Sequence, residues 1–196
     1  MPWSMQAAPQ PVRVVLFTRW PEAGKAKTRL IPALGAQGAA DLHRRLTERT
    51  VATVRAAGLH LEIRSTGAEQ AAFREWLGIE TVVDQGEGDL GARLARAAEQ
   101  MPVLLLGADI PGLLPQHLGE AAAALAHHPA VIGPANDGGY WLLGLAAPQP
   151  AVFCDVEWGT DSVLATTLAR LPAETPRLEM LSDLDTPDDL VNWPGL

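Results

Sequence analysis

The sequence predicts an α/β protein, with one doubly wound domain built on a mostly parallel sheet. Short apolar segments alternate with helical segments along almost the whole chain. The segments between successive strands are long enough to carry crossover helices, which parallel strands require. No internal repeat and no linker-like composition divides the sequence. We therefore expect one sheet with helices on both of its faces.

The elements of the first half follow from periodicity and from terminating glycines. Residues 12–18 are rich in valine and predict a strand, followed by a long basic loop over 19–35. Apolar or small side chains then recur every four residues, which predicts a helix over 37–57 that ends at Gly58. The remaining predicted elements are a strand at 59–64, a helix at 68–77 ended by Gly78, a strand at 79–83, and a helix at 90–100.

The second half has shorter strands and longer loops. Residues 103–106 form a continuous apolar run, typical of a strand buried on both faces. The other predicted elements are a helix at 115–126, strands at 131–133 and 140–145, a helix at 162–171, an extended segment at 177–181 and a short helix at 186–191. These shorter strands are compatible with a mixed sheet in this half.

Composition limits the classes of partner. The 196 residues contain 15 Lys and Arg against 23 Asp and Glu, a formal net charge of −8. This balance argues against a broad surface for nucleic acid or anionic membrane. No apolar run reaches the ~18 residues that a membrane-spanning helix needs. We therefore expect small-molecule partners, no nucleic acid and no membrane span, while the oligomeric state is not predicted.

The ends of the chain and its cysteine add little about function. Residues 1–11 lack both a charged start and a hydrophobic stretch, so they predict a disordered leader rather than a secretory signal, with residues 12–196 as the domain. A cytoplasmic location is the default expectation. The single cysteine, Cys154, excludes an internal disulfide, and we expect it to be a small core residue.

Asp109 stands directly after the buried strand at 103–106. Gly107 and Ala108 leave open space beside the backbone, and Pro111 prevents the chain from continuing in the ladder. In open α/β sheets, ligands bind at the carboxyl ends of the strands. A carboxylate at that edge, together with phosphate-binding features elsewhere, suggests a divalent metal that holds a nucleotide diphosphate. The alternative is a turn in which Asp109 only caps the following segment.

The loop after the first strand is strongly basic. Arg19, Lys25, Lys27 and Arg29 are four of the chain's 15 cationic residues and lie within eleven positions. With Gly24 they predict a phosphate-binding loop over the ligand edge, since lysine and arginine neutralise phosphate charge. A solvated basic loop is the alternative.

Two familiar phosphate motifs were compared with the sequence. A P-loop ending at Thr28 would need glycines at positions 21 and 26, where the chain has Pro21 and Ala26. Gly86, Gly88 and Gly91 form a GxGxxG pattern, which is typical of dinucleotide sites. That pattern follows the third strand rather than the first and contains Glu87 and Asp89, so we favour a turn that admits a nucleobase or ribose. Asp89 is also a candidate helix N-cap.

Six segments, taken together, resemble a bacterial family assigned as glycosyltransferases within the nucleotide-diphospho-sugar transferase (GT-A-like) superfamily, which is related to molybdenum-cofactor and phospholactate guanylyltransferases. The resemblance covers about residues 12–193. The segments are Leu16-Phe17-Thr18-Arg19-x-Pro21-x-x-Gly24-Lys25-x-Lys27-Thr28-Arg29-Leu30, Gly88-Asp89-Leu90-Gly91-x-Arg93-Leu94, Gly107-Ala108-Asp109-Ile110-Pro111-Gly112-Leu113, Gly133-Pro134-Ala135-Asn136-Asp137-Gly138-Gly139-Tyr140, Glu157-Trp158-Gly159-Thr160 and Asp183-Leu184-Asp185-Thr186-Pro187-x-Asp189-Leu190.

The resemblance implies a GT-A-like, Rossmann-related sheet and a metal site. Asp109 matches the superfamily's aspartate after the central strand, which commonly binds Mg²⁺ or Mn²⁺. Asp183 and Asp185 match the position from which a second metal ligand often comes, with a turn acid as the alternative. The Asp-x-Asp triplet of typical metal-dependent glycosyltransferases is absent, because Asp109 is followed by Ile110-Pro111.

The function expected is a metal-dependent transferase with a nucleotide-activated donor. Glycosyl transfer from a nucleotide-diphospho-sugar to a small-molecule acceptor is favoured by the family. Nucleotidyl transfer from a nucleoside triphosphate is the alternative that the basic loop favours, and a non-catalytic nucleotide-binding module is the third. Asp109 and Asp137 are the expected catalytic residues. Asp137 lies in the turn signal Asn136-Asp137-Gly138-Gly139, where it would contact acceptor or sugar.

Overall fold

The computed structural model describes residues 11–196, so the leader prediction falls almost entirely outside the described residues. Six strands and five α-helices alternate along this part of the chain. The strands are β1 Arg13–Arg19, β2 His60–Thr66, β3 Val82–Asp84, β4 Val103–Gly107, β5 Ala130–Pro134 and β6 Tyr140–Leu145. The helices are α1 Ile31–Ala56, α2 Gln70–Leu77, α3 Leu90–Ala97, α4 Pro115–Leu125 and α5 Val163–Arg170.

The strands form one mixed sheet in the order β3-β2-β1-β4-β6-β5. The pairs β3-β2, β2-β1 and β1-β4 are parallel, whereas β6 is antiparallel to both β4 and β5. The start of β6 therefore lies at the same edge as the carboxyl ends of the other five strands. This confirms the predicted α/β class and the mostly parallel sheet.

Helices cover both faces of the sheet. On one face, α1, α2 and α4 bury side chains such as Val54, Phe73 and Leu118 against β1, β2 and β4. On the other face, Leu94 of α3 and Leu171, just after α5, pack with the opposite side chains of the same central strands. Alternate residues of β4 thus enter different cores, which is why this strand is a continuous apolar run.

The extended segment at 177–181 lies alongside β5 without joining the sheet as a strand. Leu178 N donates to the Ile132 carbonyl at 2.9 Å, and Leu181 N donates to the Pro134 carbonyl at 3.1 Å. The predicted extended conformation is confirmed. Because the segment follows β5 in this way, residues 183–185 lie at the carboxyl edge of the sheet.

Some local predictions need correction. Residues 31–34 form a short helical turn that was not predicted, and Gly35, with φ 72° and ψ 168°, breaks α1 just before the long part that was predicted from residue 37. Strand β3 has three residues instead of five. Cys154 is exposed and does not belong to the core, since it follows a short 3-10 turn at the surface, Pro150–Phe153.

Within residues 11–196, no helix is both long and apolar enough to cross a membrane.

Candidate functional site

Two adjoining cavities open at the carboxyl edge of the sheet. The larger, about 570 Å³, contains five aspartates and is called here the acidic cavity: Asp109, Asp137, Asp161, Asp183 and Asp185. The smaller, about 220 Å³, is called the basic cavity and is lined by Arg19, Lys25, Lys27, Thr28, Arg29, His43, Asp109 and Asp185. Asp109, Asp185 and Arg29 line both, so they form the boundary between the two cavities.

Lys27 is the central contact at this boundary. Its side chain is only 4% exposed, and its Nζ lies 2.6 Å from Asp109 Oδ1 and 3.5 Å from Asp185 Oδ1. The same ammonium donates to the Leu184 carbonyl at 2.5 Å. Arg29 Nη1 lies 2.8 Å from the other oxygen of Asp185. Two carboxylates from distant parts of the chain are therefore held together by cations of the basic loop.

The backbone around Lys27 explains why its side chain points inward. Lys27 adopts a left-handed conformation with φ 48° and ψ 46°, directly before the 3-10 turn Thr28–Leu30. Leu30 is fully buried in a small core that includes Leu42 and Leu184. This core anchors the loop on one side, and the conformation of Lys27 turns its side chain toward the two carboxylates.

The segment that carries Asp185 is fixed by hydrogen bonds at both ends. Leu184 N donates to the Asp109 carbonyl at 2.9 Å. The Asp189 carboxylate accepts from Asp185 N at 3.0 Å and from Thr186 N at 2.7 Å, as in a capping box. Pro187 begins the following 3-10 helix, as its sequence position predicted. The Asp185 side chain is thus placed beside Asp109 by its own backbone.

The structure brings together the four predicted cations of the basic loop. Arg19, Lys25, Lys27 and Arg29 all line the basic cavity, whereas Gly24, with φ +82°, makes the exposed turn that precedes them. Lys25 is largely exposed and pairs with Glu22 at 3.0 Å. Their predicted role in phosphate binding stays a prediction.

His43 belongs to this site and was missed by the sequence reasoning. It is buried on α1, and its Nε2 lies 3.0 Å from the Arg19 carbonyl and 3.3 Å from Thr18 Oγ1. Burial lowers the pKa of His43, so the ring is neutral at pH 7 and supports the loop by hydrogen bonding. The sequence feature that could have indicated its burial is its position one residue after Leu42, within the buried stripe of α1.

The predicted glycine-rich turn lies beside the acidic cavity rather than in its wall. The residues of this region that line the cavity are Leu90 and Leu94, not the three glycines. A Cβ on Gly91 would strike the carbonyl oxygen of Phe153, so this glycine permits close packing of α3. Asp89 caps α3 by accepting from a backbone N–H at 2.8 Å, as predicted for an N-cap.

Gly86 and Gly88 make the turn itself. Both have positive φ, 76° and 93°. Neither glycine is among the residues that line the acidic cavity or the basic cavity. A role for these glycines in admitting base or ribose remains a prediction.

Asp137 and Asp183 both line the acidic cavity and lie close enough for their charges to interact. Asp137 lies in the hairpin between β5 and β6, where its Oδ1 accepts from Gly139 N at 2.8 Å. Burial raises the pKa of Asp183 to about 6, and the nearby charge of Asp137 adds to the shift. Asp183 is therefore mostly ionised at pH 7.

The oxygen-rich boundary between the cavities suits a hard divalent cation. Asp109 and Asp185 supply carboxylate oxygens, and Leu184 supplies a carbonyl oxygen, which are the ligand types that Mg²⁺ and Mn²⁺ prefer. Among residues 11–196, no three His, Cys, Asp or Glu side chains are grouped closely enough to form a complete ligand set. The residues fit a metal bound by one or two carboxylates, which leaves coordination positions for phosphate oxygens and water.

The chain was compared with known families, curated proteins and solved structures. Residues 47–160 match the family described as "Uncharacterized protein conserved in bacteria (DUF2064)". No curated protein matches the sequence significantly.

One solved structure is similar in both sequence and fold. It is a protein from Desulfovibrio desulfuricans G20 assigned as a nucleotide-diphospho-sugar transferase. The two proteins are 32% identical, the match covers 89% of this chain and 82% of that one, and the TM-score is 0.81.

Two more distant structures share the fold. A nucleotidyl transferase from Methanothermobacter is 17% identical, covers 93% of this chain and 95% of its own, and has a TM-score of 0.60. Glucosyl-3-phosphoglycerate synthase from Mycobacterium tuberculosis is 12% identical, covers 93% and 75%, and has a TM-score of 0.57. The latter was solved with Mn²⁺, UDP and glucosyl-3-phosphoglycerate.

Proposed function

We propose that residues 12–196 of this chain, which belongs to the bacterial family DUF2064, form a metal-dependent transferase domain with a nucleotide-activated donor. The favoured reaction is glycosyl transfer from a nucleotide-diphospho-sugar to a small-molecule acceptor. Similarity to the Desulfovibrio desulfuricans protein that is assigned as a nucleotide-diphospho-sugar transferase supports this choice.

The observation that carries the proposal is the meeting of opposite charges at one edge of the sheet. Four cations line the basic cavity, five aspartates line the acidic cavity, and Asp109 and Asp185 lie between them. A diphosphate is the kind of group that needs both arrangements, since its oxygens bind to cations and to a metal held by carboxylates.

In this proposal Asp109, with Asp185 or Asp183, would hold Mg²⁺ or Mn²⁺. The metal would neutralise the charge that develops on the leaving phosphate. The Mn²⁺ in the structure of glucosyl-3-phosphoglycerate synthase supports a divalent metal, although that likeness concerns the fold.

Arg19, Lys25 and Arg29 would bind the phosphates of the donor. Their side chains lie around the same small cavity, so the positive charge is placed before the ligand arrives. Arg29 can offer two parallel N–H groups to a phosphate in place of its present contact with Asp185.

The acceptor would bind in the acidic cavity. Apolar walls from Phe17, Leu90, Leu94 and Leu105 adjoin the aspartates, so the cavity suits a compound with an apolar part and a hydroxyl group. Its many carboxylates disfavour an anionic acceptor. Asp137, which lines the same cavity, would contact the acceptor.

Nucleotidyl transfer from a nucleoside triphosphate is the second candidate. The observation that favours it is the density of cations in the basic cavity, because a triphosphate and its pyrophosphate leaving group carry more charge than a diphospho-sugar. The fold is shared with a nucleotidyl transferase from Methanothermobacter. The two candidates differ in the donor and can be separated by binding.

The test is thermal unfolding with a panel of nucleotide sugars and nucleoside triphosphates, each with and without Mn²⁺. A ligand at a hundredfold excess over its Kd stabilises a protein by about 2.7 kcal/mol, which is readily measured. Mn²⁺-dependent stabilisation by one nucleotide sugar is the expected result. Stabilisation by a triphosphate alone would transfer the proposal to nucleotidyl transfer.

Two control variants make the panel specific. Asp109→Asn keeps the size of the side chain and should abolish the Mn²⁺-dependent part of the shift. Arg49→Ala removes a charge from the exposed face of α1, away from both cavities, and should leave the shift unchanged. A shift that persists in Asp109→Asn would contradict the metal assignment.

A further inference from the structure

The Lys27 ammonium is surrounded by oxygen atoms of the protein rather than by solvent. A lysine ammonium carries three N–H groups. Here it has three oxygen partners, Asp109 Oδ1, Asp185 Oδ1 and the Leu184 carbonyl. The side chain is 4% exposed, whereas those of Asp109 and Asp185 are 48% and 36% exposed. The buried cation is therefore covered by partners that remain open to the cavities.

The three oxygens around Lys27 are also the ones that a divalent metal would use. Carboxylate and carbonyl oxygens are preferred ligands of Mg²⁺ and Mn²⁺. A metal ion and the ammonium that both contacted Asp109 Oδ1 would be only a few ångströms apart, and two positive charges at that distance repel each other. Lys27 and a metal therefore compete for one position.

We propose that Lys27 is the resident cation of the Asp109–Asp185 pair, that a divalent metal binds there by displacing its ammonium, and that the displaced ammonium turns into the basic cavity. This inference rests on the metal site of the proposed function. Lys27 already lines the basic cavity, so its flexible four-carbon stem can reach that space without movement of the backbone.

A coupling between metal and phosphate follows from this exchange. Without metal, Lys27 neutralises carboxylates; with metal, its charge is added to the cations that face the donor. Metal binding would therefore raise the affinity for phosphate, and the two ligands would favour each other by linkage. Lys27 would also keep the two carboxylates together before the metal arrives.

The sequence provides a direct test, because Lys25 and Lys27 are its only lysines. Lys25 is 62% exposed and serves as an internal reference for the buried Lys27. The wild-type protein is acetylated with an N-hydroxysuccinimide ester, and mass spectrometry measures modification at each lysine with and without Mn²⁺. Sodium chloride at matched ionic strength is the control for general salt effects.

We expect Lys27 to be acetylated slowly without metal. At saturating Mn²⁺, the rate of acetylation of Lys27 relative to that of Lys25 should rise about tenfold. A ratio of the two rates that does not change at saturating Mn²⁺ would overturn the proposal. Saturation is measured separately from the loss of the electron paramagnetic resonance signal of free Mn²⁺.

A second measurement uses Mn²⁺ affinity and needs no donor or acceptor. Lys27→Met removes the competing ammonium, so Mn²⁺ should bind about tenfold more tightly or better, as expected when a charge-assisted contact no longer has to be broken. Lys25→Met removes the same charge from an exposed position and should change the Mn²⁺ affinity by less than about twofold. Equal or weaker binding by Lys27→Met would overturn the exchange.

The outcomes separate this inference from the proposed function. If Mn²⁺ binds to wild-type protein and to Asp109→Asn equally, the metal site itself is wrong and both proposals fail. If Mn²⁺ binding needs Asp109 but is indifferent to Lys27, only the exchange fails. If Lys27→Met does not fold, the acetylation of wild-type protein still decides the question.

Discussion

The contact between Lys27 and Asp109 should contribute measurably to the stability of the metal-free protein. The Lys27 side chain is 4% exposed and its Nζ lies 2.6 Å from the carboxylate. Removing one partner of a fully buried pair costs about 3–5 kcal/mol. Because the Asp109 side chain is 48% exposed, water compensates for part of the loss. We therefore expect Asp109→Asn to lower the free energy of unfolding by about 1–2 kcal/mol, less than the fully buried case.

A double-mutant cycle isolates the pair. Asp109→Asn, Lys27→Met and the double variant are unfolded by urea at pH 7 in the presence of a metal chelator. We expect a coupling energy of about 1–2 kcal/mol, in the range of a charge-assisted hydrogen bond that is partly screened by water. In a chain of this size, each kcal/mol corresponds to about 2–4 °C in Tm.

The same chain offers a matched control. Lys25 and Glu22 form an ion pair of 3.0 Å, but their side chains are 62% and 45% exposed. Exposed pairs typically contribute about 0.2–1 kcal/mol, so the cycle at Lys25 and Glu22 should give a coupling energy near the lower end of that range. If the coupling of Lys27 with Asp109 is no larger than that of Lys25 with Glu22, the reasoning from burial is refuted.

Three further predictions concern pH, packing and anion binding. The pKa of Asp183 in the folded protein is raised from 3.8 to about 6. The free energy of unfolding of the wild type, relative to that of Asp183→Asn, should therefore rise as the pH falls from 7 toward 4. Parallel pH curves for the two proteins in urea titrations would contradict this. Gly91→Ala places a methyl group against a backbone carbonyl and should destabilise by about 1–3 kcal/mol. Gly119→Ala, in open space on α4, should instead stabilise by about 0.5–1 kcal/mol, and equal effects in thermal unfolding would refute the packing argument. Arg29→Ala should weaken pyrophosphate binding about tenfold in calorimetry, whereas Arg49→Ala, an exposed charge on α1, should not; equal losses would mean that only net charge matters.

Local signals in the sequence were sufficient for most of the fold. Gly58 and Gly78 follow the ends of α1 and α2 with left-handed φ values of 69° and 62°, as expected of helix-terminating glycines. The antiparallel direction of β6 was not predictable in the same way, because an apolar strand has the same pattern in either direction. Strand β3 is shorter than predicted since only three of its residues pair with β2.

The candidate site was predictable where it depends on strand ends and not where it depends on distant contacts. Asp109 and the basic loop follow β4 and β1, which places them at one edge of a parallel sheet. The inward turn of Lys27 depends on a carbonyl 157 residues away, at Leu184, and no local pattern records such a pairing. His43 was missed because a histidine in an amphipathic helix resembles any other helical residue until its partners are known.

The distance along the chain between Lys27 and Leu184 has a consequence for how the protein is made. During synthesis, β1, the basic loop and β4 emerge well before residues 183–185, which pair with them last. Until then, Lys27 can pair with Asp109 but not with Asp185. The edge of the nascent sheet also lacks the extended segment at 177–181, which lies along β5. Closing such a long loop is entropically slow. We therefore expect nascent chains that stop short of residue 183 to form the sheet without a complete site, so ligand binding at this edge would require residues 183–185 to have been synthesised.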